Sequence, residues 1–172
     1  LVRPAHAPVR FAIGEILRAD AAATVARLRA LHLDVRLLSG DHAGSVQRVA
    51  ASLGIATWDA GQTPMQKVAA IEALRAAGHR VLMVGDGLND SPPLAAANVS
   101  ASPADAADIS QTVADVVFQG RRLAPVALLV ATARQAQRIM RSNLVLSIGY
   151  NALMVPLAVA GYVTPWLAAA AM

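Results

Sequence analysis

The sequence predicts a doubly wound parallel α/β sheet followed by transmembrane α-helices. Three observations predict it. Up to Phe118, short apolar runs alternate with helical stretches, the order that builds a parallel sheet joined by crossover helices. Two of the runs lead directly into polar, glycine-containing turns, Ser39-Gly40-Asp41 and Gly85-Asp86-Gly87-Leu88-Asn89-Asp90. In such sheets ligands sit at the carboxyl ends of the strands. Finally, no charged residue occurs from Ser142 to Met172, and ~20 apolar residues suffice to cross a bilayer.

Taken in order, residues 11–17 (FAIGEIL) read as a short strand. Asp20 is placed to cap an alanine-rich helix whose apolar positions Val25, Leu28 and Leu31 recur every three residues. Val35–Leu38 reads as a buried parallel strand and ends in Ser39-Gly40-Asp41. A helix through Val46, Val49 and Leu53 follows, closed by Gly54. Thr63-Pro64-Met65-Gln66 forms a capping box with proline at the first helical position. The helix it opens runs through Val68, Ile71 and Leu74 to Gly78. Val81–Val84 is a second buried strand, and residues 99–118 add a strand, a helix and a last strand at Asp115–Phe118. From about Arg122, with Pro125 in the first turn, a helical pattern runs without a breaker to Pro156. It reads as a stalk continuing into a membrane span. Gly161 to Trp166 then supplies a turn with two interface-type aromatics, and a second span starts there. Both ends of the chain read as cut.

Composition narrows the function. The chain is 56% hydrophobic and 15% charged, with mean hydropathy +0.47. Net charge is +4 and the pI is about 10.6, which could suit nucleic acid. The positive charge is dispersed, however, and only two Phe, two Tyr and two Trp are available for stacking, so nucleic acid is set aside as a partner. Arg121, Arg122, Arg134, Arg138 and Arg141 gather just before the apolar run, as on a cytoplasmic membrane flank. That puts residues 1 to about 141 in the cytoplasm of a multi-pass protein of the cell membrane. Without cysteine there is neither a disulfide framework nor a thiolate metal site in this segment. His6, His32, His42 and His79 lie on different elements and suggest no metal site.

The chemistry gathers at the strand ends. Asp86 and Asp90 offer hard oxygen ligands suited to Mg²⁺ beside phosphate, and Gly85 and Gly87 let the backbone approach a ligand closely. Asn89 can donate to a phosphoryl oxygen. The same six residues also make an ordinary chain reversal, and the residues alone leave both readings open. Ser39 can bond a phosphoryl group, while Asp41 can simply cap the next helix. Lys67 is the single lysine against fourteen arginines, in the first turn of its helix; it is either an exposed surface residue or a compact point charge for a phosphate.

A serine after one strand, a lysine on a later helix and an aspartate pair after another strand resemble the haloacid-dehalogenase phosphotransfer site without its nucleophile. The stretch 85–99 (GDGLNDSPPLAAANV) is similar to the hinge motif of P-type ATPases, with SGD at 39–41 and Pro-x-x-Lys at 64–67 in the expected order. The resemblance covers roughly residues 11–172. It implies a haloacid-dehalogenase-like fold divided into the end of a nucleotide-binding domain (1–17), the C-terminal part of a phosphorylation domain (18–120), and stalk and transmembrane helices (121–172). It also implies ATP and Mg²⁺ as cofactors, Asp86 as a Mg²⁺ ligand, Lys67 as the neutraliser of a phosphoaspartate, Ser39 at the phosphoryl group, and Asn89 and Asp90 ordering the site. Gly40, Asp41, Gly85 and Gly87 belong to the same cofactor-binding turns. The nucleophile's Asp-Lys-Thr-Gly-Thr motif and the metal-binding Cys-Pro-Cys helix are absent, so this segment alone is not expected to turn over. Ser91-Pro92-Pro93 departs slightly from the family's Ala-Pro-x.

Tyr150-Asn151 lies within the uncharged run, where polar groups either bond neighbouring helices or line a pathway. Copper(I) pumps of this family carry Tyr-Asn in this helix and a methionine in the next, and Met172 falls where that methionine would be. Zinc and cadmium pumps place a charged residue in each helix, which this run lacks. A thioether suits Cu(I), so the resemblance implies transported Cu⁺ with Tyr150, Asn151 and Met172 as its ligands. Met140 and Met154 read as packing residues. Residues 99–118 and 161–172 also look like the copper ATPases that supply cbb-type haem–copper oxidases. The partners implied are membrane lipid, the remainder of the same pump, and a copper chaperone or oxidase assembly factors. The competing readings are a membrane-tethered phosphatase of the dehalogenase superfamily, a zinc or cadmium pump, and a degenerate pseudo-pump.

Overall fold

A computed structural model describes residues 16–161 other than Gly87, Ala107 and Arg121. Two units divide the chain after Ala127. In the first, the elements run in the order α1 (Ala21–Ala30), β1 (Arg36–Leu38), α2 (Ala43–Leu53), β2 (Thr57–Asp59), α3 (Pro64–Ala76), β3 (Leu82–Val84), α4 (Ser91–Ala96), β4 (Val99–Pro103), α5 (Asp108–Val113) and β5 (Val116–Phe118). A single 3₁₀ turn, Leu88–Asp90, precedes α4.

All strand pairings are parallel, and they fall into two sets. β1 pairs with β2 in the register Leu37 to Trp58. β3, β4 and β5 form the other set, with Met83 opposite Ser100 and Ser102 opposite Val117. Parallel pairs need a crossover, and α2, α4 and α5 provide three of them. Among the described residues, β1 and β3 each have one partnered edge and one unpartnered edge.

Each set has its own core. Val25, Ala50 and Ile55 are buried together beneath Val35, Leu37, Leu53 and Trp58. Ala101, Phe118 and Val126 form the second, flanked by Leu28, Leu82, Val116 and Leu123. Ile71 on α3 and Leu94 on α4 are fully buried; each contributes about 1.5–3 kcal/mol by leaving water.

Several local signals act as their chemistry requires. Gly54 ends α2 at φ 67, in the left-handed region. Thr63 and Gln66 form the reciprocal capping box, with Pro64 at the first position of α3. Asp20 differs from expectation. It stands at the head of α1 but makes no cap there; its Oδ2 instead accepts the Ala124 N–H, 2.8 Å away, at the start of the last helix. Asp41 does not cap α2 either, because His42 holds the N-cap position and Asp41 turns back to Ser39. Residues 16 and 17 lie in no strand, and 11–15 fall outside the described residues. β2 was not legible in the sequence, being three residues long with only Trp58 half-buried.

α6 begins at Ala124, in the last residues of the first unit, and runs to Val159; its course from Leu128 onward belongs to the second unit. It passes Pro156, because a proline so near the end removes only one ladder bond. The last turn closes at Gly161, φ 77. α6 is the one helix among the described residues long and apolar enough to cross a membrane. Leu144, Val145, Leu146, Ile148 and Leu153 are all exposed along it, Leu146 to 73%.

Candidate functional site

The candidate residues follow from how three segments end. β1 delivers Ser39, whose N–H donates to the Asp59 carbonyl (2.9 Å) and whose carbonyl accepts the Gln62 N–H (2.9 Å). The hydroxyl of Ser39 donates to Asp41 Oδ2 (2.7 Å), and the Asp41 N–H donates back to Ser39 Oγ (3.1 Å). This small closed turn fixes Gly40, where a Cβ would lie 3.3 Å from the Gln62 carbonyl oxygen. Ser39 is thereby joined to the segment that starts α3.

The capping box then sets the first turn of α3. Thr63 Oγ1 accepts the Gln66 N–H (3.3 Å), Gln66 Oε1 accepts the Thr63 N–H (2.8 Å), and the Lys67 N–H closes on the Thr63 carbonyl (3.0 Å). A helix started this way presents Lys67 inward. Its Nζ donates to Asp90 Oδ1 at 2.7 Å, and the two side chains are only 11% and 16% exposed.

β3 supplies the third part. Gly85 continues the pairing with β4 through its N–H to the Ala101 carbonyl (3.2 Å). A Cβ at Gly85 would meet Asp90 Cβ at 2.7 Å and its Cγ at 3.1 Å. Glycine is required here by that close approach, which folds the loop back so that Asp90 reaches Lys67. Asp86, by contrast, is 64% exposed, with Arg18 Nη2 at 3.4 Å from Oδ2; the same nitrogen lies 4.0 Å from Asp105 Oδ1. Asn89 is exposed, and Gly87 lies outside the described residues.

Thus Ser39-Gly40-Asp41, Lys67, Gly85 and Asp90 are linked by one continuous set of contacts, with Asp86 on the same loop. Arg18 and Asp105 were not singled out in the sequence. Neither sits in a periodic pattern or a motif, so no sequence signal marked them. Tyr150 and Asn151 are consecutive exposed residues of α6, and Met172 lies outside the described residues. Ser147 and Met154 fall on the Tyr150-Asn151 face of α6 by helical spacing.

Two carboxylates elsewhere in the first unit are held as anions. Asp115 has its pKa lowered by the Ser100 hydroxyl and N–H, which outweigh the opposing effect of burial. For Asp20, burial raises the pKa, but the amides of Leu123 and Ala124, its own amide and the charge of Arg122 together bring it below the ordinary carboxylate value.

The donor set is compatible with Mg²⁺. Asp86 is 64% exposed and its contact with Arg18 is long, at 3.4 Å, so its oxygens are accessible to a hard cation. No group of three or more His, Cys, Asp or Glu suited to a metal occurs among the described residues. A single carboxylate completed by phosphate oxygens and water is a usual Mg²⁺ arrangement. The oxygen chemistry fits.

Comparison with known proteins bears on the whole chain. The haloacid dehalogenase-like hydrolase family matches residues 5–98. The chain is 55% identical over 156 residues to the nitrogen fixation protein FixI of Bradyrhizobium diazoefficiens, covering 91% of this chain and 21% of that protein. It is 35% identical over 161 residues to a copper-exporting P-type ATPase of Bacillus subtilis, covering 94% and 20%. The chain therefore spans about a fifth of the length of the curated relatives it matches. Among solved structures, a zinc-transporting PIB-type ATPase in its E2.Pi state superposes with TM-score 0.84 at 29% identity, over 90% of this chain and 25% of that one. The catalytic domain of the CPx-ATPase CopB-B gives 0.52 at 38% identity, over 53% and 37%.

Proposed function

The chain belongs to the haloacid dehalogenase-like hydrolases, and on that premise we propose that it is the carboxy-terminal part of an ATP-driven, Cu(I)-translocating P-type ATPase. The observation that carries this reading is the 2.7 Å Lys67–Asp90 pair. It lies on the same loop as an open Asp86, at the ends of parallel strands, in a chain that continues into a 36-residue helix with an apolar surface.

The roles follow from the chemistry. The nucleophilic aspartate lies upstream, on a strand for which the unpartnered edges of β1 and β3 offer a place. Lys67 Nζ sets a positive charge beside the acyl phosphate, held in register by Asp90. Ser39 releases its hydroxyl from Asp41 to a phosphoryl oxygen, and Asn89 donates to another. Asp86 would hold Mg²⁺, which would supply neutralisation of the phosphoryl charge. Phosphoryl transfer depends chiefly on such positioning and electrostatics. Gly40, Asp41, Gly85 and Gly87 form the turns around the transferred group, with ATP as donor.

We assign residues 18–120 to the phosphorylation domain, 1–17 to the end of the nucleotide-binding domain, and 121–172 to stalk and membrane helices. Exposed apolar residues along α6 are costly in water but at home in lipid, which supports a membrane protein; its place in the cell membrane as a multi-pass protein belongs to the same proposal. Copper is favoured by the uncharged run around Tyr150-Asn151, with Met172 as a soft ligand, and by the copper-exporting relative. The likeness to a zinc transporter covers the fold, but Ser142 to Met172 of this chain holds no charged residue of the kind zinc would favour. The partners of this reading are membrane lipid, the rest of the pump, a copper chaperone and oxidase assembly factors.

In the full-length protein, Asp86→Asn should abolish Mg²⁺-dependent phosphoenzyme formation from ATP; undiminished phosphorylation would refute the Mg²⁺ role. Tyr150→Phe and Asn151→Ala should impair Cu⁺-stimulated turnover yet leave phosphorylation from inorganic phosphate intact. Equal loss of both activities would mean that these two residues serve folding.

A further inference from the structure

Arg18 has no role in the scheme above, yet it reaches the proposed cation ligand. Its Nη2 lies 3.4 Å from Asp86 Oδ2 and 4.0 Å from Asp105 Oδ1, while its side chain is only about a quarter exposed. Its other terminal nitrogen, Nη1, is buried with no hydrogen-bond partner among the described residues. We propose that Arg18 is a built-in counter-ion for the cation site, holding Asp86 and Asp105 together when no divalent ion is bound and yielding Asp86 when one arrives. This inference rests on the reading of Asp86 as a Mg²⁺ ligand.

Three features support an exchangeable contact. Both distances exceed the 2.7–3.2 Å of a good N–H···O bond, in contrast to the 2.7 Å of Lys67–Asp90. Asp86 and Asp105 are both more than half exposed, so a hydrated cation has access. An orphaned buried Nη1 also means that the guanidinium is held by charge and not by a full set of bonds. Without Arg18, neither Asp86 nor Asp105 keeps a salt bridge among the described residues.

The exchange is a side-chain movement. Two residues along, Asp20 accepts the Ala124 N–H at 2.8 Å, which pins the backbone of this segment to the start of α6. The guanidinium can swing away while the main chain stays. Arg18 is accordingly a positioning residue, acting through Asp86.

The test uses the detergent-solubilised full-length protein, titrated with Mg²⁺ alone, and reads the shift of its thermal unfolding midpoint. Arg18→Gln should lower the midpoint in metal-free buffer and reduce the half-saturating Mg²⁺ concentration by about two- to fivefold, as expected for losing one weak, partly exposed ion pair. Arg18→Lys keeps the charge and should fall between Gln and the parent, which keeps the test usable if the Gln variant folds poorly. An unchanged or raised half-saturating concentration in either variant would overturn the proposal. Asp86→Asn separates the two layers of inference. It should remove the Mg²⁺ response altogether; a response that survives would remove the underlying cation-site reading, and this proposal with it.

Discussion

Lys67 Nζ lies 2.7 Å from Asp90 Oδ1, an ion pair made across 23 residues and largely shielded from water. α3 fixes one end through its capping box, and the turn after β3 fixes the other. Removing one member strands the other in a poorly solvated place. Lys67→Met should therefore destabilise the α/β unit by about 1.5–3 kcal/mol, the usual worth of a hydrogen bond to a charged group. Asp90→Asn should cost less, since an amide can still accept from the ammonium. In a double-mutant cycle read by thermal unfolding, the pair should be less damaging than the sum of the singles. Simple additivity would show that the contact contributes nothing to stability.

Gly85→Ala tests the geometry that brings Asp90 to Lys67. The new methyl would sit 2.7 Å from Asp90 Cβ, an atom close to the backbone that no rotamer can move. The turn itself must shift. In the full-length protein this should reduce phosphoenzyme formation on the order of 10²-fold, as ångström-scale misplacement does. Gly44→Ala is the control. Nothing lies within 4 Å of a Cβ there, the residue is in α2, and alanine should stabilise by about 0.4–1 kcal/mol. If both alanines behaved alike, close packing at Gly85 would not be the reason for its glycine.

Much of this arrangement is legible in the amino-acid sequence. Proline after threonine with glutamine three residues on gave the start of α3, because capping is a local matter of backbone donors. Gly54 and the alternation of apolar runs with helices were equally readable, and the alternation carries the parallel pairing within each strand set. What the sequence concealed depends on distant partners. Asp20 looked like the cap of α1 but serves Ala124, 104 residues away, and either helix start offers it the same free amides. β2 is too short to show a period. Arg18 and Asp105 meet Asp86 only through the folded loops, and spacing along the chain contains no trace of that meeting.

Acid should reveal the bond between Ser100 and Asp115. The Ser100 hydroxyl and N–H both donate to Asp115 Oδ2 at 2.8 Å, and they lower its pKa in the folded protein. A carboxylate with a lower folded pKa adds stability that is present above its unfolded pKa and fades as pH falls through the folded one. Ser100→Ala removes one donor and returns the folded pKa toward the ordinary value. The variant should therefore unfold at a lower temperature at pH 7, and its deficit should shrink as the pH drops below the ordinary carboxylate range. A deficit that stays constant to pH 3 would assign the whole effect to packing.

Ser102, two residues along β4, should respond in the opposite direction. It shares the strand face of Ser100 and is 0% exposed, but its Oγ has no hydrogen-bond partner among the described residues. A buried hydroxyl without a partner forfeits its hydration, a loss of about 1–3 kcal/mol, and Ser102→Ala removes the hydroxyl together with that loss. Part of the gain is offset by the small void left in a tightly packed strand, so the net stabilisation should be about 1 kcal/mol, read as a rise in the unfolding midpoint. Identical side chains on one face of one strand would then give changes of opposite sign, because Ser100 has Asp115 to bond and Ser102 has no partner among the described residues. A fall in the midpoint for Ser102→Ala would mean that its hydroxyl is bonded in the folded protein after all.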